Sequence, residues 1–127
     1  ICPIMDARRN QVYTALYKWR EGTLERFSEH RAVDMDDYLK ELNSYDGKII
    51  FMGDGVNVYQ EKIQNQIGEQ ALFAPNFCNL QHASVLGTIA EKLYEEGKAE
   101  DASNFVPMYL RKSKAEREKY EREKNAY

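Results

Sequence analysis

The sequence is poor in the residues that build disulfide frameworks and metal centres. Among 127 residues there are only two cysteines, Cys2 and Cys78, and two histidines, His30 and His82. Neither histidine has a cysteine or carboxylate at metal-ligand spacing, so no zinc site is predicted and surface or helix-cap roles are expected. The cysteines lie far apart, and we expect free thiols, buried or half-buried, in a reducing cytoplasm.

Long apolar runs and a strong charge of one sign are also missing. No run approaches the roughly 18 residues that a membrane span requires, so no membrane association is predicted. The net charge of −3 is too small for nucleic-acid binding through the whole surface. The chain does not begin with Met and opens directly on a strand-like segment, so we expect further sequence upstream of Ile1.

The hydrophobic pattern predicts the element order β-β-β-α-β-α-β-α. In chain order we predict strands at 2–6, 11–19 and 24–32, a helix from about 34 to 45, a strand at 48–52, a helix from about 56 to 67, a strand at 71–74 and a helix at 81–96. Gly22 marks a hairpin turn at 20–23, and Asp34 is a suitable cap for the first helix. The second strand has large side chains on both faces, which predicts a central position.

The helix predicted at 81–96 carries a wide apolar stripe, which predicts burial. Its members are Val85, Leu86, Ile89, Ala90, Leu93 and Tyr94. Residues 106–111 look extended. The predicted domain therefore covers 1–112, and the charged segment 113–127 is predicted to be a helical or frayed tail.

Three antiparallel strands followed by βα units are the order of the ribonuclease H-like architecture. The predicted fold is α/β, a mixed five-stranded sheet with helices on both faces. A nuclease of this fold needs several carboxylates at strand ends to hold two Mg²⁺ ions. Asp6 ends the first strand and Asp54 follows the fourth, but the second and third strands offer no acid in register. Nuclease activity is therefore not predicted.

Two polar segments leave alternatives open. Gly53-Asp54-Gly55 is read either as a tight strand-to-helix turn or as a turn that approaches a phosphate ahead of a helix, although it is far from a P-loop. The segment 6–13 is read either as a turn in which Asp6 pairs with Arg8 or Arg9, or as a recognition surface for a protein or a phosphate.

Two motifs resemble one protein family. PIMDARRNQVYTALY, residues 3–17, resembles the segment that opens the second half of bacterial TsaB proteins, also called YeaZ. PMYLRKSKAER, residues 107–117, is similar to the C-terminal signature of the same family. The candidate interface or structural residues in these motifs are Asp6, Arg8, Arg9, Tyr13, Tyr109 and Arg111.

The resemblance implies a place in tRNA modification. TsaB-type proteins belong to the actin-like ATPase superfamily, with two ribonuclease H-like halves, and look like degenerate paralogues of the catalytic subunit TsaD. They support transfer of a threonylcarbamoyl group to the adenosine beside the anticodon, together with the ATPase TsaE. The family is also called glycoprotease-like, but nothing in these residues supports a protease.

On this resemblance the chain is expected to be the C-terminal lobe and not an enzyme. ATP and a metal would be used by the partner subunits, with no cofactor in this lobe. Contacts with the TsaD-like and TsaE-like partners would come mostly from the missing N-terminal half, and contact with tRNA would be indirect.

Roles within the lobe follow from position alone. Asp6, Arg8, Arg9 and Tyr13 are expected to shape the first hairpin and a surface facing the sister lobe or a partner. Arg111 is expected to anchor the returning C-terminal segment. Two alternatives remain: a lobe of an ATP-dependent actin-like enzyme, such as a kinase or hydrolase, and a homodimerisation module with an exposed apolar face.

Overall fold

A computed structural model describes residues 1–111 and, beyond them, residues 113, 115, 116, 119, 122 and 123. The predicted tail at 113–127 therefore lies largely outside the described residues. Among these residues, none of the helices combines the length and the apolar content that crossing a membrane requires.

The centre of the fold is a mixed five-stranded sheet. Its strands are β1 (Cys2–Asp6), β2 (Gln11–Thr14), β5 (Arg31–Asp34), β6 (Ile49–Met52) and β7 (Ala71–Phe73). Their order across the sheet is β5-β2-β1-β6-β7. β2 pairs antiparallel with both β1 and β5, whereas β1 pairs parallel with β6 and β6 with β7. The predicted fold class is confirmed.

The second predicted strand is divided, and the third is displaced. Pairing within the main sheet stops at Thr14, and Tyr17–Arg20 (β3) pairs with Thr23–Arg26 (β4) in a separate two-stranded sheet. The predicted single strand at 11–19 was wrong in its extent, since only residues 11–14 belong to the main sheet. The backbone of Leu16 instead bonds to Ser28 and Phe27, with Leu16 N–H donating to Ser28 Oγ at 2.7 Å and Phe27 N–H donating to Leu16 O at 2.9 Å.

The strand predicted at 24–32 is likewise replaced. The sheet's third strand in chain order is β5, while residues 23–26 form the return arm of the hairpin. The turn at 20–23 is confirmed, with positive φ values at Glu21 and Gly22, as in the hairpin turns that suit the natural twist of strands.

Two helices cover one face of the sheet. They are α1 (Met35–Leu42) and α2 (Gly55–Ile67). The Asp34 side chain accepts hydrogen bonds from the backbone N–H groups of Asp36 and Asp37, which confirms the predicted cap. The apolar stripes of both helices are buried against the sheet and form the core with it; their members are Met35, Tyr38, Leu39, Leu42, Val56, Tyr59, Ile63 and Ile67.

The third helix, α3 (Ala83–Glu95), stands over the opposite face of the sheet without packing closely on it. All six members of its predicted buried stripe are exposed, so that prediction was wrong. Between α3 and the sheet lies an apolar groove of about 510 Å³, lined by Pro3, Met5 and Met52 on one side and by Val85, Leu86 and Ile89 on the other. The helical periodicity of the sequence placed these side chains on one face of α3, but it did not show which element would cover that face.

Candidate functional site

The turn between β1 and β2 has an unusual backbone. Arg8, Arg9 and Asn10 all adopt left-handed conformations, with φ values of 59°, 56° and 58°. The turn is closed by two backbone hydrogen bonds, Ala7 N–H to Gln11 O at 2.9 Å and Gln11 N–H to Arg8 O at 3.1 Å. Non-glycine residues reach this region at a cost, so a run of three requires support from the rest of the fold.

Asn10 supplies most of that support. Its side-chain amide donates to Asp34 Oδ2 at 3.0 Å and to Asp36 Oδ2 at 2.8 Å. Its Oδ1 accepts from Lys62 Nζ at 2.8 Å, and Lys62 also pairs with Asp36 at 2.9 Å. Hydrogen bonds from Lys62 and then from Asn10 lower the pKa of Asp36. Sequence reasoning missed Asn10 and Lys62; the one available signal was that asparagine tolerates positive φ.

The two acids considered for metal binding are held in structural hydrogen bonds. The Asp6 carboxylate accepts from the backbone N–H of Arg8 at 2.9 Å and from the Tyr59 hydroxyl at 3.5 Å. Asp54 Oδ1 accepts from the backbone N–H of Asp6 at 3.0 Å. Within the part of the chain that the structure describes, no three histidine, cysteine or acidic side chains are placed to hold a metal ion. Asp6 thus shapes the turn through the Arg8 backbone.

The remaining predicted site residues divide into two groups. Arg111 reaches the turn, where Nη1 donates to the carbonyl oxygen of Ala7 at 2.9 Å. Tyr13 lies further along β2, half-buried and opposite Met5. Tyr109 lies apart from them, exposed in a segment that belongs to no helix or strand. The structure therefore gathers Asp6, Arg8, Arg9 and Arg111 at one turn.

The glycine-flanked turn fits a structural role. A Cβ at Gly53 would stand 2.3 Å from the carbonyl oxygen of Ile4, and one at Gly55 would stand 3.0 Å from the same atom. Glycine is therefore required for this loop to approach β1 so closely. The backbone N–H of Gly53 donates to Asn79 Oδ1 at 3.2 Å. One backbone donor of this turn is therefore already used within the chain, which favours the structural role.

A second candidate surface is apolar. Beyond the groove, α3 and the segment 105–109 expose large side chains. Those on the segment are Phe105, Val106, Met108 and Tyr109. Exposed apolar surface of more than scattered single residues is typical of protein contact sites.

The comparisons with known proteins decide the family. A family model described as "TsaD: tRNA N6-adenosine threonylcarbamoyltransferase" matches residues 1–119. The chain belongs to this family. It is also 32% identical over 116 residues to the tRNA threonylcarbamoyladenosine biosynthesis protein TsaB of Bacillus subtilis (strain 168), a match that covers 91% of this chain and 49% of the relative.

Two solved structures show the same fold. YeaZ from Pseudomonas aeruginosa superposes with a TM-score of 0.61 at 21% identity, covering 86% of this chain and 48% of the other. A Pseudomonas aeruginosa protein described as similar to peptidase YEAZ gives a TM-score of 0.59 at 19% identity, covering 87% and 48%. The chain thus spans about half the length of these relatives, and its resemblance to TsaB and YeaZ proteins is confirmed.

Proposed function

We propose that this chain is a non-catalytic lobe that acts in the biosynthesis of threonylcarbamoyladenosine in tRNA, by assembling with the catalytic paralogue of its family. The family match and the relative from Bacillus subtilis support the pathway. The observation that carries the assembly role is the uncovered apolar surface of α3. A helix with this many exposed aliphatic side chains gains stability when a partner buries them.

The polar turn supports a structural rather than a chemical role. The carboxylates of Asp6 and Asp54 accept hydrogen bonds from backbone N–H groups. Asn10, Asp36 and Lys62 are joined to one another by hydrogen bonds and an ion pair. Groups engaged in this way hold the shape of the lobe. In this proposal, the ATP and the metal belong to the TsaD-like and TsaE-like partners, and the assembly works in the cytoplasm.

Reconstitution tests the proposal. The full-length protein that carries this chain is mixed with the TsaD-like and TsaE-like subunits, ATP, an activated threonylcarbamoyl donor and unmodified tRNA, and threonylcarbamoyladenosine is measured by mass spectrometry. Leu86→Glu places a charge on the exposed face of α3 and should reduce both co-elution with the TsaD-like subunit and product. The matched control is Val58→Glu, at an exposed position of α2, which should leave both unchanged.

Two results would contradict the proposal. Micromolar ATP binding or turnover by the protein without partners would favour the actin-like enzyme alternative. The homodimerisation module would be favoured if the protein forms a homodimer and Leu86→Glu makes it monomeric, while co-elution with the TsaD-like subunit and product formation stay unchanged.

A further inference from the structure

The β3–β4 hairpin has two different faces. Across the strand pair, Tyr17 stands opposite Arg26 and Trp19 opposite Leu24, whereas Lys18 stands opposite Glu25. Since side chains alternate along a strand, Tyr17, Trp19, Leu24 and Arg26 share one side, which we call the outer face. Trp19 is 66% exposed and Leu24 is 48% exposed.

The other face of the hairpin contacts the rest of the molecule through Lys18. Lys18 Nζ lies 5.8 Å from the centroid of the Phe27 ring, and Phe27 meets Tyr45 edge-to-face with centroids 6.3 Å apart. Tyr45 follows α1, so these contacts tie the hairpin to the lobe. The outer face differs in offering a ligand the exposed side chains of Trp19 and Leu24.

Hydrogen bonds hold the polar part of the outer face in place. Arg26 Nη1 lies 2.6 Å from His30 Nδ1, and His30 Nε2 lies 3.1 Å from the Tyr17 hydroxyl oxygen. A guanidinium can only donate, so Nδ1 accepts and the imidazole proton is on Nε2, which donates to Tyr17. The arginine is therefore oriented before any ligand arrives, which lowers the entropic cost of binding.

The charge of the outer face is of one sign. At its strand positions it carries Arg26 and no carboxylate, because Glu25 points to the opposite side. The chain as a whole has a net charge of −3. A locally cationic aromatic surface on an acidic protein is complementary to an anion that also presents a flat apolar ring.

We propose that the outer face binds a single-stranded segment of RNA, with Trp19 stacking on an unpaired base and Arg26 contacting a neighbouring phosphate. Stacking on aromatic side chains and arginine–phosphate contacts are the two main elements of single-strand recognition, and unpaired loop bases are the ones free to stack. This inference rests on the proposed function, since it assigns the tRNA loop as the ligand. It replaces the expected indirect contact with a direct one.

A peptide ligand fits this surface less well. Hot-spot aromatics in protein interfaces lie in desolvated pockets ringed by apolar neighbours. Here Trp19 has a single apolar neighbour across the strands, Leu24, and is otherwise bordered by the Tyr17–His30–Arg26 chain.

The single tryptophan of the chain makes the test direct, because its fluorescence reports on position 19 alone. The 127-residue chain is titrated with a synthetic anticodon stem-loop RNA whose adenosine beside the anticodon is unmodified. We expect saturable quenching that weakens as salt rises. The affinity is measured in parallel by anisotropy of labelled RNA, so that variants without tryptophan can be compared.

Four variants separate stacking from charge. Trp19→Ala should weaken RNA binding about tenfold, and Trp19→Phe should recover most of the loss, because each stacked base accounts for roughly a 5- to 150-fold change in affinity. Arg26→Ala should weaken binding, and it should reduce the slope of log affinity against log salt concentration by about one. Lys18→Ala removes the same charge from the opposite face and should leave the slope nearly unchanged.

Several outcomes would overturn the inference. They are the absence of quenching at about 100 μM RNA, equal effects of Arg26→Ala and Lys18→Ala, or quenching by a poly-glutamate peptide but not by RNA. Product formation that still depends on the chain would leave the proposed function standing in each case. Conversely, RNA binding without co-elution of the TsaD-like subunit would contradict the proposed function alone.

Discussion

Asn10 is the residue on which the shape of the β1–β2 turn most depends. Its side chain joins Asp34, Asp36 and Lys62, and its own φ is 58°. Asn10→Ala removes these bonds and places alanine in the left-handed region, so we expect a loss of about 2 kcal/mol in the free energy of unfolding. Urea denaturation measures the change.

Asn10→Gly is the control for this prediction. Glycine adopts positive φ without strain. The loss in unfolding free energy of Asn10→Gly therefore reports the side-chain hydrogen bonds alone, and it should be smaller than the loss of Asn10→Ala. An Asn10→Ala variant within about 0.5 kcal/mol of the parent, the range of ordinary surface substitutions, would show that the turn holds its shape without the amide.

Cys2 and Cys78 should differ sharply in reactivity. Cys2 is fully buried, with its sulfur 3.2 Å from the Tyr38 hydroxyl, while Cys78 is half-buried. Burial raises the pKa of the Cys2 thiol, and the thiolate is the reactive form. A disulfide reagent at pH 8 should therefore titrate one thiol quickly and the second only on unfolding.

The same raised pKa predicts how stability depends on pH. Above the ordinary thiol pKa of about 8.5, the unfolded chain releases the Cys2 proton while the folded chain retains it. Proton release then favours the unfolded state, so stability is full below that pH and falls above it. Cys2→Ala should remove this part of the decline between pH 7.5 and about 9.5. If stability falls with pH equally in Cys2→Ala and in the parent, then the fall is caused by other titrating groups.

At the scale of elements, a glycine in a tight loop and a glycine within a helix should respond to substitution in opposite ways. Gly53 has a φ of 101°, and a Cβ there would meet the Ile4 carbonyl at 2.3 Å. Gly87 lies within α3 with open space around it. Gly53→Ala should destabilise the lobe by about 2 kcal/mol or more, whereas Gly87→Ala should raise helix stability by about 0.5–1 kcal/mol.

Thermal unfolding compares these two variants directly. A mild effect of Gly53→Ala would mean that the loop can move away from β1, and a phosphate-approach role for Gly53-Asp54-Gly55 would regain support.

The elements that sequence predicts well are those whose local signals and covering surface coincide. Asp34 caps α1 and the α1 stripe packs on the sheet immediately beside it. The hairpin was misassigned because residues 11–19 form an unbroken run of strand-forming types, and no turn residue marks the break at Ala15 and Leu16. Alternation alone cannot show where a strand leaves its sheet.

The candidate site was predictable only in part for the same reason. Asp6, Arg8 and Arg9 stand together in sequence, so their turn was visible. Lys62 lies 52 residues from Asn10, yet it completes the hydrogen bonds of that turn. Arg111 lies 104 residues from Ala7. Contacts of this kind depend on how α2 and the returning chain cross the sheet, which local patterns do not encode.

At the scale of the whole molecule, the core is one-sided. Alternate residues of β1 point to opposite faces, with Cys2 and Ile4 fully buried beneath α1 and α2 while Met5 remains exposed. The apolar stripe of α3 faces the uncovered side across the groove. An amphipathic pattern predicts that a face will be buried, but the burial can be supplied by another subunit or lobe.

This asymmetry predicts a contrast between two isoleucines. Ile63 on α2 is fully buried and Ile89 on α3 is 53% exposed. Ile63→Ala removes packed methyl groups from the core and should cost about 2–5 kcal/mol of unfolding free energy. Ile89→Ala should change the stability of the chain alone by less than about 0.5 kcal/mol, as measured by urea denaturation.

The assembly role adds a second expectation for Ile89. If a TsaD-like partner covers the α3 face, Ile89→Ala should weaken co-elution with that partner although it leaves the lobe intact, since the lost burial then appears in binding. A cost of 2 kcal/mol or more in the chain alone would instead mean that α3 closes onto Pro3, Met5 and Met52 in solution. The groove would then be part of the core, and the assembly proposal would lose the surface on which it depends.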